Sequence, residues 1–307
     1  MNLEKSLILA VLAAALSYLL TPISIPISAA SAITCSPDGS RKLGTVSVPR
    51  LGGLGFFFSA LAVLFPYVTK SATIAALLSG GAILMAGGVA DEAFSLPPAA
   101  RLLVKVAAAL VSLAFIAPPQ ELSFFGVFNL PLYGAVGFLI TLLRLIFTVN
   151  AVNFSDSLDG LASGLSVVAL FSLALYGVRS ASTYPAFAAL VLAAAVLGFS
   201  PFNRYRARIF MGDSGSQFLG LSIALLSLGN SPRGSFTLET TLFLAVPLAD
   251  TVFMVLQRLI KGRNPLSREK GHLHTLLLTV GIPHPHAVKI LIAVSALVAS
   301  IALLFSL

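Results

Sequence analysis

The chain has 307 residues, of which 57% are hydrophobic and 10% charged, and its mean hydropathy is +0.98. A soluble domain carries about 25% charged residues, so the composition excludes a water-soluble globular protein. We expect a single all-α domain over residues 1–307 that lies in a lipid bilayer. The net charge is +8. Because the basic residues lie between apolar runs, we expect anionic lipids and anionic substrates as partners, and no nucleic acid. The single cysteine, Cys35, excludes an intrachain disulfide.

A membrane-spanning helix needs about 20 mainly apolar residues. About ten runs meet or nearly meet this requirement, at about 4–22, 51–69, 71–90, 100–118, 133–152, 161–179, 184–200, 214–229, 238–260 and 286–306. The run at 214–229 is short and is the weakest candidate. The first run also has the layout of a signal peptide. We interpret it as a spanning helix, and cleavage of residues 1–32 stays open.

The segment 119–132 alternates between polar and apolar residues and contains Pro and Gly. This pattern predicts a small β-hairpin in a loop between two spans. The hairpin follows the fourth span, and it lies on the periplasmic side if the face that holds the loops after the odd-numbered spans is cytoplasmic.

Charge is distributed unequally between the two faces that ten spans define. The face with the loops after the odd-numbered spans holds 15 of the 19 Lys and Arg residues, Arg144 at a helix end among them. The other four are Lys5, Lys70, Arg179 and Arg233. The positive-inside rule therefore predicts that the basic face is cytoplasmic, that both termini lie outside, and that the protein resides in the cell inner membrane. Of the 11 acidic residues, all but Glu4, Glu121 and Glu239 lie on or toward the same face.

Two adjacent acids, Asp91 and Glu92, end the third span. Acids at a helix C-terminus are disfavoured by the helix dipole, so we expect a compensating cation nearby. Solvated surface acids are the alternative.

The fifth span ends in a series with a spacing of three, Asn150, Asn153, Asp156 and Asp159. Neighbours at this spacing share a face of a helix, and amide and carboxylate oxygens are ligands that suit Mg²⁺. The alternative is an ordinary N-capping turn, because Ser155, Asp156 and Gly160 are good turn residues.

The segment after the seventh span contains three arginines, Arg204, Arg206 and Arg208, and then the sequence GDSGS around Asp213. The arginines are explained as topology anchors. A Gly/Ser-rich turn that opens a helix can bind phosphate oxygens through its backbone N–H groups, while Asp213 holds a metal ion.

All four histidines, His272, His274, His284 and His286, precede or open the last span. Two H-x-H pairs suggest zinc, but no third ligand stands beside them in the sequence, so donation to a phosphate is the better interpretation. For His284 and His286 we expect an exposed loop.

Asp250, deep in the ninth span, is either functional or hydrogen-bonded to a neighbouring helix.

Together these motifs resemble the polyprenyl-phosphate N-acetylhexosamine-1-phosphate transferases, and within them the N-acetylglucosamine-1-phosphate branch rather than the muramoyl-pentapeptide branch. The resemblance covers most of the chain and rests on PRLGG at 49–53, the acidic pair at 91–92, NAVNFSDSLDGLASG at 150–164, FNRYRARIFMGDSGS at 202–216, PLADT at 247–251 and GHLH at 271–274.

The resemblance implies transfer of a sugar-1-phosphate from a UDP-sugar to undecaprenyl or another polyprenyl phosphate, with release of UMP. It implies a requirement for Mg²⁺, for which Mn²⁺ is a substitute, and a homodimer stays open. It assigns the metal to Asp213 and Asn153, and catalysis to the acids Asp91, Glu92, Asp156 and Asp159. The substrate-binding residues would be Leu158, Asn203, Phe210, His272, His274, Arg101 and Arg50.

Within this set, Asp159, Leu158, Asn203 and Phe210 would line a uridine pocket, with Phe210 stacking on uracil. The chain departs from the family at Glu92, where Asp is usual, and at Thr275, where His is frequent.

A secondary transporter with intramembrane acids is the rival hypothesis. It is disfavoured because transporters place their sites at mid-membrane within repeated halves, whereas these acids lie at one face.

Overall fold

The computed structural model describes residues 2–35, 47–231, 235–260, 262 and 272–306. The described residues form twelve α-helices, which are α1 Leu3–Ala30, α2 Gly53–Leu64, α3 Ala72–Phe94, α4 Pro98–Leu113, α5 Gly134–Ser155, α6 Leu161–Arg179, α7 Thr183–Asn203, α8 Gly212–Asn230, α9 Leu238–Leu242, α10 Ala245–Ile260, α11 Leu273–Thr279 and α12 His284–Phe305. A 3₁₀ helix, Phe65–Lys70, continues α2. The five short strands are β1 Thr34–Cys35, β2 Val48–Pro49, β3 Glu121–Phe124, β4 Phe128–Pro131 and β5 Phe236–Thr237.

Seven helical segments in this part of the chain are long and apolar enough to cross a membrane. They are α1, α2 with its 3₁₀ continuation, α3, α5, α6, α7 and α12. The chain is therefore a multi-pass helical membrane protein. The runs at 100–118, 214–229 and 238–260 correspond to α4, α8 and the pair α9–α10. These three are helical but do not meet the same length and hydropathy criteria.

Helix α8 lies at the centre of the bundle, where almost every residue from Gly212 to Leu228 is buried. It packs against α2, α3 and α5. Glycines permit these close approaches: a Cβ on Gly53 would lie 2.5 Å from the Cα of Gly215, and one on Gly220 would lie 2.7 Å from the Cα of Val149. Small residues at helix contacts are typical of membrane proteins. A helix covered on all sides does not need an apolar surface, which explains why α8 is rich in Gly and Ser.

Helix α1 shows the opposite arrangement, with small polar residues inward and large apolar residues outward. Its buried positions include Ser17, Thr21 and Ser24, whereas Leu3 and Val11 are more than 60% exposed. An outward face of large aliphatic side chains is suited to lipid. The helix continues to Ala30, eight residues beyond the predicted end at 22, because prolines inside a spanning helix are tolerated when neighbouring helices cover them.

The predicted hairpin is present, with β3 and β4 antiparallel and Leu122 opposite Leu130. Strand β5, which follows the C-terminal end of α8, pairs in parallel with β3. The three strands therefore lie at the end of α8 that is remote from Asp213.

Arg144 lies in the middle of α5, and not at the helix end where the sequence analysis counted it. Its Nη2 donates to Ser227 Oγ at 2.8 Å, and its guanidinium lies 3.7 Å from the centroid of the Phe236 ring. Because side chains on a helix tilt toward its N-terminus, Arg144 reaches the sheet end of the bundle. It does not belong with the loop cations.

Several charged residues used in the sorting of charges lie outside the described residues. They are Asp38, Arg41, Lys42, Arg233, Lys261, Arg263, Arg268, Glu269 and Lys270.

Candidate active site

One end of the bundle gathers polar side chains from distant parts of the sequence. Helices α3, α5 and α7 end there, and α4, α6 and α8 begin there. Hydrogen bonds connect these helix ends across as many as 122 residues of sequence, and Arg50, before α2, joins the same cluster. From the sequence we expected these residues on one face, and in the structure Arg50, Glu92, Asn153 and Asp213 are in contact there.

Asp91 is the buried member of the acidic pair, with a side chain that is 5% exposed. Its Oδ1 lies 2.9 Å from the Nε of Arg101, at the start of α4, and accepts a second hydrogen bond from the backbone N–H of Leu96. Arg101 is thus the compensating cation that the sequence led us to expect.

Glu92 faces a different partner, the N-terminal turn of α8. It accepts a hydrogen bond from the backbone N–H of Asp213, and the Oγ of Ser214 lies 3.5 Å away. A carboxylate at a helix N-terminus is favoured by the helix dipole. The Asp213 N–H, one of the groups expected to bind phosphate, is therefore occupied by Glu92.

Gly212 allows this turn to form. Its φ is +73°, a left-handed conformation that glycine adopts without strain. A Cβ at this position would lie 2.0 Å from Glu92 Oε1 and 2.2 Å from the backbone oxygen of Arg50. Only glycine fits, so this residue fixes the position of Asp213.

Asp213 and Asn153 stand together at the centre of the cluster. Asn153 Nδ2 donates to Asp213 Oδ1 at 3.1 Å and to Ser216 Oγ at 2.8 Å. Arg50 Nη2 lies 3.4 Å from the same Asp213 oxygen. An acid, an amide and a cation from three separate chain segments are thereby brought to one point.

Lys105 is a site residue that the sequence analysis did not select. It lies one helical turn after Arg101 on α4, its Nζ donates to Asn150 Oδ1, and it is within electrostatic range of Asp213 and Asp91. The i, i+4 spacing of Arg101 and Lys105 places both cations on one helix face, and that spacing is the signal that would have found it.

The predicted helical face of four residues is only half correct. Helix α5 ends at Ser155, so Asn150 and Asn153 share a face, whereas Asp156 is the residue after the helix and Asp159 lies in the following turn. The alternative, an N-capping turn, is partly correct: residues 156–160 form a turn and Gly160 is the N-cap residue of α6, but no side chain caps the helix. Asp156 is buried, with 4% exposure.

The four residues predicted to line a uridine pocket lie around the α5–α6 turn and the segment before α8. Asp159 Oδ2 accepts from the backbone N–H of Ala207 at 3.2 Å. Asn203 Oδ1 accepts from Ser163 Oγ at 3.0 Å, and its Nδ2 donates to the carbonyl of Ile209 at 3.1 Å.

Leu158 is partly buried and packs beside a small apolar cluster of α6, α10 and α12. Phe210 is 8% exposed, so stacking of its ring on a base requires its neighbours to move.

His272 and His274 stack on one another, with ring centroids 5.0 Å apart and planes at 15°. Their third neighbour is Asp250 of α10, whose Oδ2 lies 2.8 Å from His272 Nδ1. No third zinc ligand stands beside these histidines in the sequence, but the fold brings Asp250 to them: ligand atoms of the three side chains lie within 4.8 Å of one another. Asp250 therefore makes the hydrogen bond to a neighbouring element that was one of its two predicted roles.

The expectation of an exposed loop is wrong for His284, and for His286 only the exposure is correct, because both residues belong to the first turn of α12. His284 is 7% exposed because it begins α12 and lies against the α5–α6 turn. Its Nε2 accepts the backbone N–H of Asp159 at 3.2 Å, and the Tyr205 ring lies 5.0 Å away. His286 is exposed on the first turn of the same helix.

The pair of Asp213 and Asn153 fits a divalent cation of the size of Mg²⁺. Two adjacent ligands of an octahedral Mg²⁺ are separated by about 3 Å, and the Asn153 amide nitrogen is 3.1 Å from Asp213 Oδ1. The nitrogen and oxygen of an amide exchange places by a half-turn of the group. Ser216 Oγ accepts from the amide and donates to the carbonyl of Gly212 at 2.8 Å. In the flipped orientation its proton would turn to the amide oxygen. The donor set is thus compatible with the cation that the sequence predicts.

Comparison with known proteins identifies the family. A model of glycosyl transferase family 4 matches residues 74–230. The chain is 31% identical to a Bacillus subtilis protein named as a probable undecaprenyl-phosphate N-acetylglucosaminyl 1-phosphate transferase, over 94% of this chain and 83% of the relative. It is 32% identical to a Mycobacterium tuberculosis decaprenyl-phosphate N-acetylglucosaminephosphotransferase, over 82% and 70%. It is 28% identical to the Escherichia coli undecaprenyl-phosphate alpha-N-acetylglucosaminyl 1-phosphate transferase, over 86% and 74%.

The matched region extends from α3 to the end of α8, and so contains the acidic pair, the α5–α6 turn and the Asp213 turn. With these matches and this arrangement of helix ends, the chain belongs to glycosyl transferase family 4.

Proposed function

We propose that the protein transfers N-acetylglucosamine-1-phosphate from UDP-N-acetylglucosamine to undecaprenyl phosphate or a related polyprenyl phosphate, and releases UMP. An oxygen of the lipid phosphate attacks the β-phosphorus of the donor, and the bond from that phosphorus to the UMP oxygen breaks. The product is a lipid-linked diphosphate sugar. This would be the first membrane step of cell-envelope glycan synthesis.

The observation that carries the proposal is the cluster of Asp91, Asn153 and Asp213 with three cations at one end of the helical bundle. Phosphoryl transfer is catalysed mainly by positioning and by neutralisation of charge on phosphate oxygens. A site at the ends of membrane helices is accessible both to a water-soluble nucleotide and to the phosphate of a lipid whose chain stays in the bilayer. The relatives described above are all named as transferases, which favours this reaction over transport.

Each charged residue takes a role from its contacts. Arg50 and Lys105 supply positive charge beside Asp213. Asp91 is buried and paired with Arg101, so we assign it to the placement of that cation and of the lipid phosphate. A phosphate dianion needs no general base near neutral pH, which makes proton removal by Asp91 unnecessary.

The metal ion is proposed to be Mg²⁺, held by Asp213 and Asn153, with Mn²⁺ as a substitute. Bound there, it would act as a Lewis acid on the diphosphate oxygens. The other acids, Glu92, Asp156 and Asp159, shape the site: Glu92 fixes the turn that carries Asp213, and Asp159 fixes the segment before Phe210.

We further propose that α4, α8 and α9–α10 also cross the bilayer, which gives ten crossings. At 1.5 Å per residue α4 and α10 are each about 24 Å long, and α8 is shielded from lipid by its neighbours. The polar end of the bundle then faces the cytoplasm and both termini lie outside, in agreement with the excess of Lys and Arg.

Cysteine labelling in intact cells tests this orientation. In a Cys35→Ser background, Ser95→Cys lies beside the site and Val127→Cys lies in the hairpin, and both positions are exposed. We expect a membrane-impermeant maleimide to label position 127 from outside and position 95 only after lysis. Labelling of both from outside contradicts the orientation.

The reaction itself is tested with purified protein, UDP-N-acetylglucosamine, undecaprenyl phosphate and Mg²⁺. We expect UMP release that needs both substrates, and a lipid product heavier by one N-acetylglucosamine-1-phosphate in the mass spectrum. Asp213→Asn, which retains the size of the side chain, should be inactive, and Glu121→Gln in the hairpin should be fully active. Absence of UMP release by the wild-type protein contradicts the proposal, and a panel of other UDP-sugars then tests the donor.

A further inference from the structure

Asp250 is an acid inside a helix that the reaction above does not use. Its residue exposure is 5%, and both of its carboxylate oxygens accept hydrogen bonds: Oδ1 from the backbone N–H of Leu273, and Oδ2 from Nδ1 of His272 at 2.8 Å. A buried carboxylate with both oxygens engaged is held in one orientation. The bond to Leu273 determines which oxygen is left for His272.

His272 lies against Phe154, in the last turn of α5. Its ring centroid is 6.1 Å from that of Phe154, the residue after Asn153 on α5. Because Nδ1 is engaged by Asp250, Nε2 is the ring nitrogen that remains for a ligand. When a histidine ring lies between a carboxylate and a phosphate, the doubly protonated ring is stabilised, since it donates an N–H hydrogen bond to each anion.

We propose that Asp250 is a positioning residue that holds one ring proton of His272 on Nδ1. Nε2 then carries a second proton and donates it in a hydrogen bond to the diphosphate of the bound donor. This inference rests on the proposed function, because it takes a nucleotide diphosphate as the ligand. Asp250 does not touch the substrate and acts through His272. The second ring proton is taken from solvent when the donor binds, and no other group changes its protonation.

The change Asp250→Asn tests this role with little change in shape. The Leu273 N–H needs an oxygen, so the asparagine places its Oδ1 there and turns its NH₂ toward His272. Nδ1 must then accept a hydrogen bond, and the ring keeps a proton on Nε2 alone. Nε2–H still donates to the phosphate, but the ring is neutral. Loss of an orienting partner of this kind costs about 10–100-fold in activity.

Nitrogen NMR of the detergent-solubilised full chain labelled with ¹⁵N-histidine provides a readout that a merely structural role would not move. The chain has four histidines, so the spectrum is simple, and His272→Asn assigns the His272 signals. We expect a proton on Nδ1 of His272 in the wild-type protein, and both nitrogens protonated after addition of UDP-N-acetylglucosamine without lipid. In Asp250→Asn we expect a proton on Nε2 only. His286→Ala should leave the His272 signals unchanged.

A double-mutant cycle tests whether Asp250 acts through His272. We expect Asp250→Asn to lower the rate of UMP release about 10–100-fold in the wild-type background, and to have no further effect in the His272→Asn background. If the rate losses of the two single variants multiply in the double variant, the two residues act independently and the proposal is overturned.

Two other results also overturn it. A wild-type His272 with Nδ1 unprotonated excludes the hydrogen bond to Asp250. Stoichiometric zinc in the purified protein that disappears in Asp250→Asn would show that the carboxylate is a metal ligand with the two histidines. The NMR spectrum without donor does not depend on turnover, so failure of the transfer reaction and failure of this inference are distinguishable.

Discussion

Asn153 Nδ2 lies 3.1 Å from Asp213 Oδ1, and this contact joins the end of α5 to the start of α8 across 60 residues of sequence. Ser216, one turn into α8, receives the second N–H of the same amide. The amide is therefore fixed by the helix that carries the acid. The two ligands proposed for the metal ion are held in place by the packing of α5 on α8.

We predict that Asn153→Asp makes the stability of the protein dependent on Mg²⁺. A second carboxylate beside Asp213 adds a like-charge repulsion of about 4 kcal/mol at an effective dielectric constant of 20. A bound divalent cation removes this repulsion. The melting temperature in detergent should fall without Mg²⁺ and should rise with Mg²⁺ by more than in the wild-type protein.

Asn150→Asp is the matched control for this change. It lies one turn earlier on α5, where its side chain accepts a hydrogen bond from Lys105, so the new charge faces a cation. An equal Mg²⁺-dependent rise in melting temperature in both variants would show that the effect is not specific to the Asp213 pair.

Gly212→Ala should abolish transfer and lower the melting temperature. The left-handed backbone costs alanine about 1–2 kcal/mol, and the added Cβ clashes with Glu92 and the Arg50 backbone. Gly126→Ala in the hairpin turn separates these two effects, because its φ is +68° and a Cβ there meets nothing within 4 Å. Loss of stability in Gly212→Ala no greater than in Gly126→Ala would argue against the close packing of the Asp213 turn.

Arg101→Gln should lower both stability and activity. It leaves the buried Asp91 carboxylate without its ion-pair partner, and because Arg101 is partly exposed we expect a loss of about 1–3 kcal/mol. Thermal unfolding and UMP release measure the two effects. Lys5→Gln, which removes an exposed cation at the start of α1, should change neither. Unaltered stability of Arg101→Gln would mean that water replaces the pair.

His284→Ala should raise the KM for the UDP-sugar about 2–10-fold, because loss of one hydrogen bond costs about 0.5–1.5 kcal/mol. The bond orients Asp159, which we propose to lie in the uridine pocket. The same change at the exposed His286 is the control. The KM is measured with saturating lipid phosphate. An unchanged KM in His284→Ala would show that Asp159 does not contribute to the uridine pocket.

The sequence predicted well those features that depend on local patterns. Apolar runs predicted where the helices lie, to within a few residues at most ends, and seven of the predicted spans are long and apolar enough to cross a membrane. The pair of acids at the end of α3 predicted a nearby cation. Boundaries failed where local rules are overridden: α1 passes through Pro22 and Pro26, and the ninth run breaks into α9 and α10 near Pro247.

Contacts between distant segments were not readable from periodicity. Glu92 turns away from Asp91 and onto α8, Asp250 meets His272, and His284 meets Asp159, and each of these partners is set by how helices pack. The regular spacing from Asn150 to Asp159 was misleading, because a spacing of three implies one face only while the helix lasts, and α5 ends at Ser155.

The central claim is that Asp213 and Asn153 form a divalent cation site at the polar end of the bundle. Electron paramagnetic resonance of Mn²⁺ titrated into the purified protein tests it most directly, since bound and free Mn²⁺ differ in signal. We predict one bound Mn²⁺ per chain in the wild-type protein, displaced by Mg²⁺, and none in Asp213→Asn. Mn²⁺ binding of equal affinity in Asp213→Asn would contradict the account.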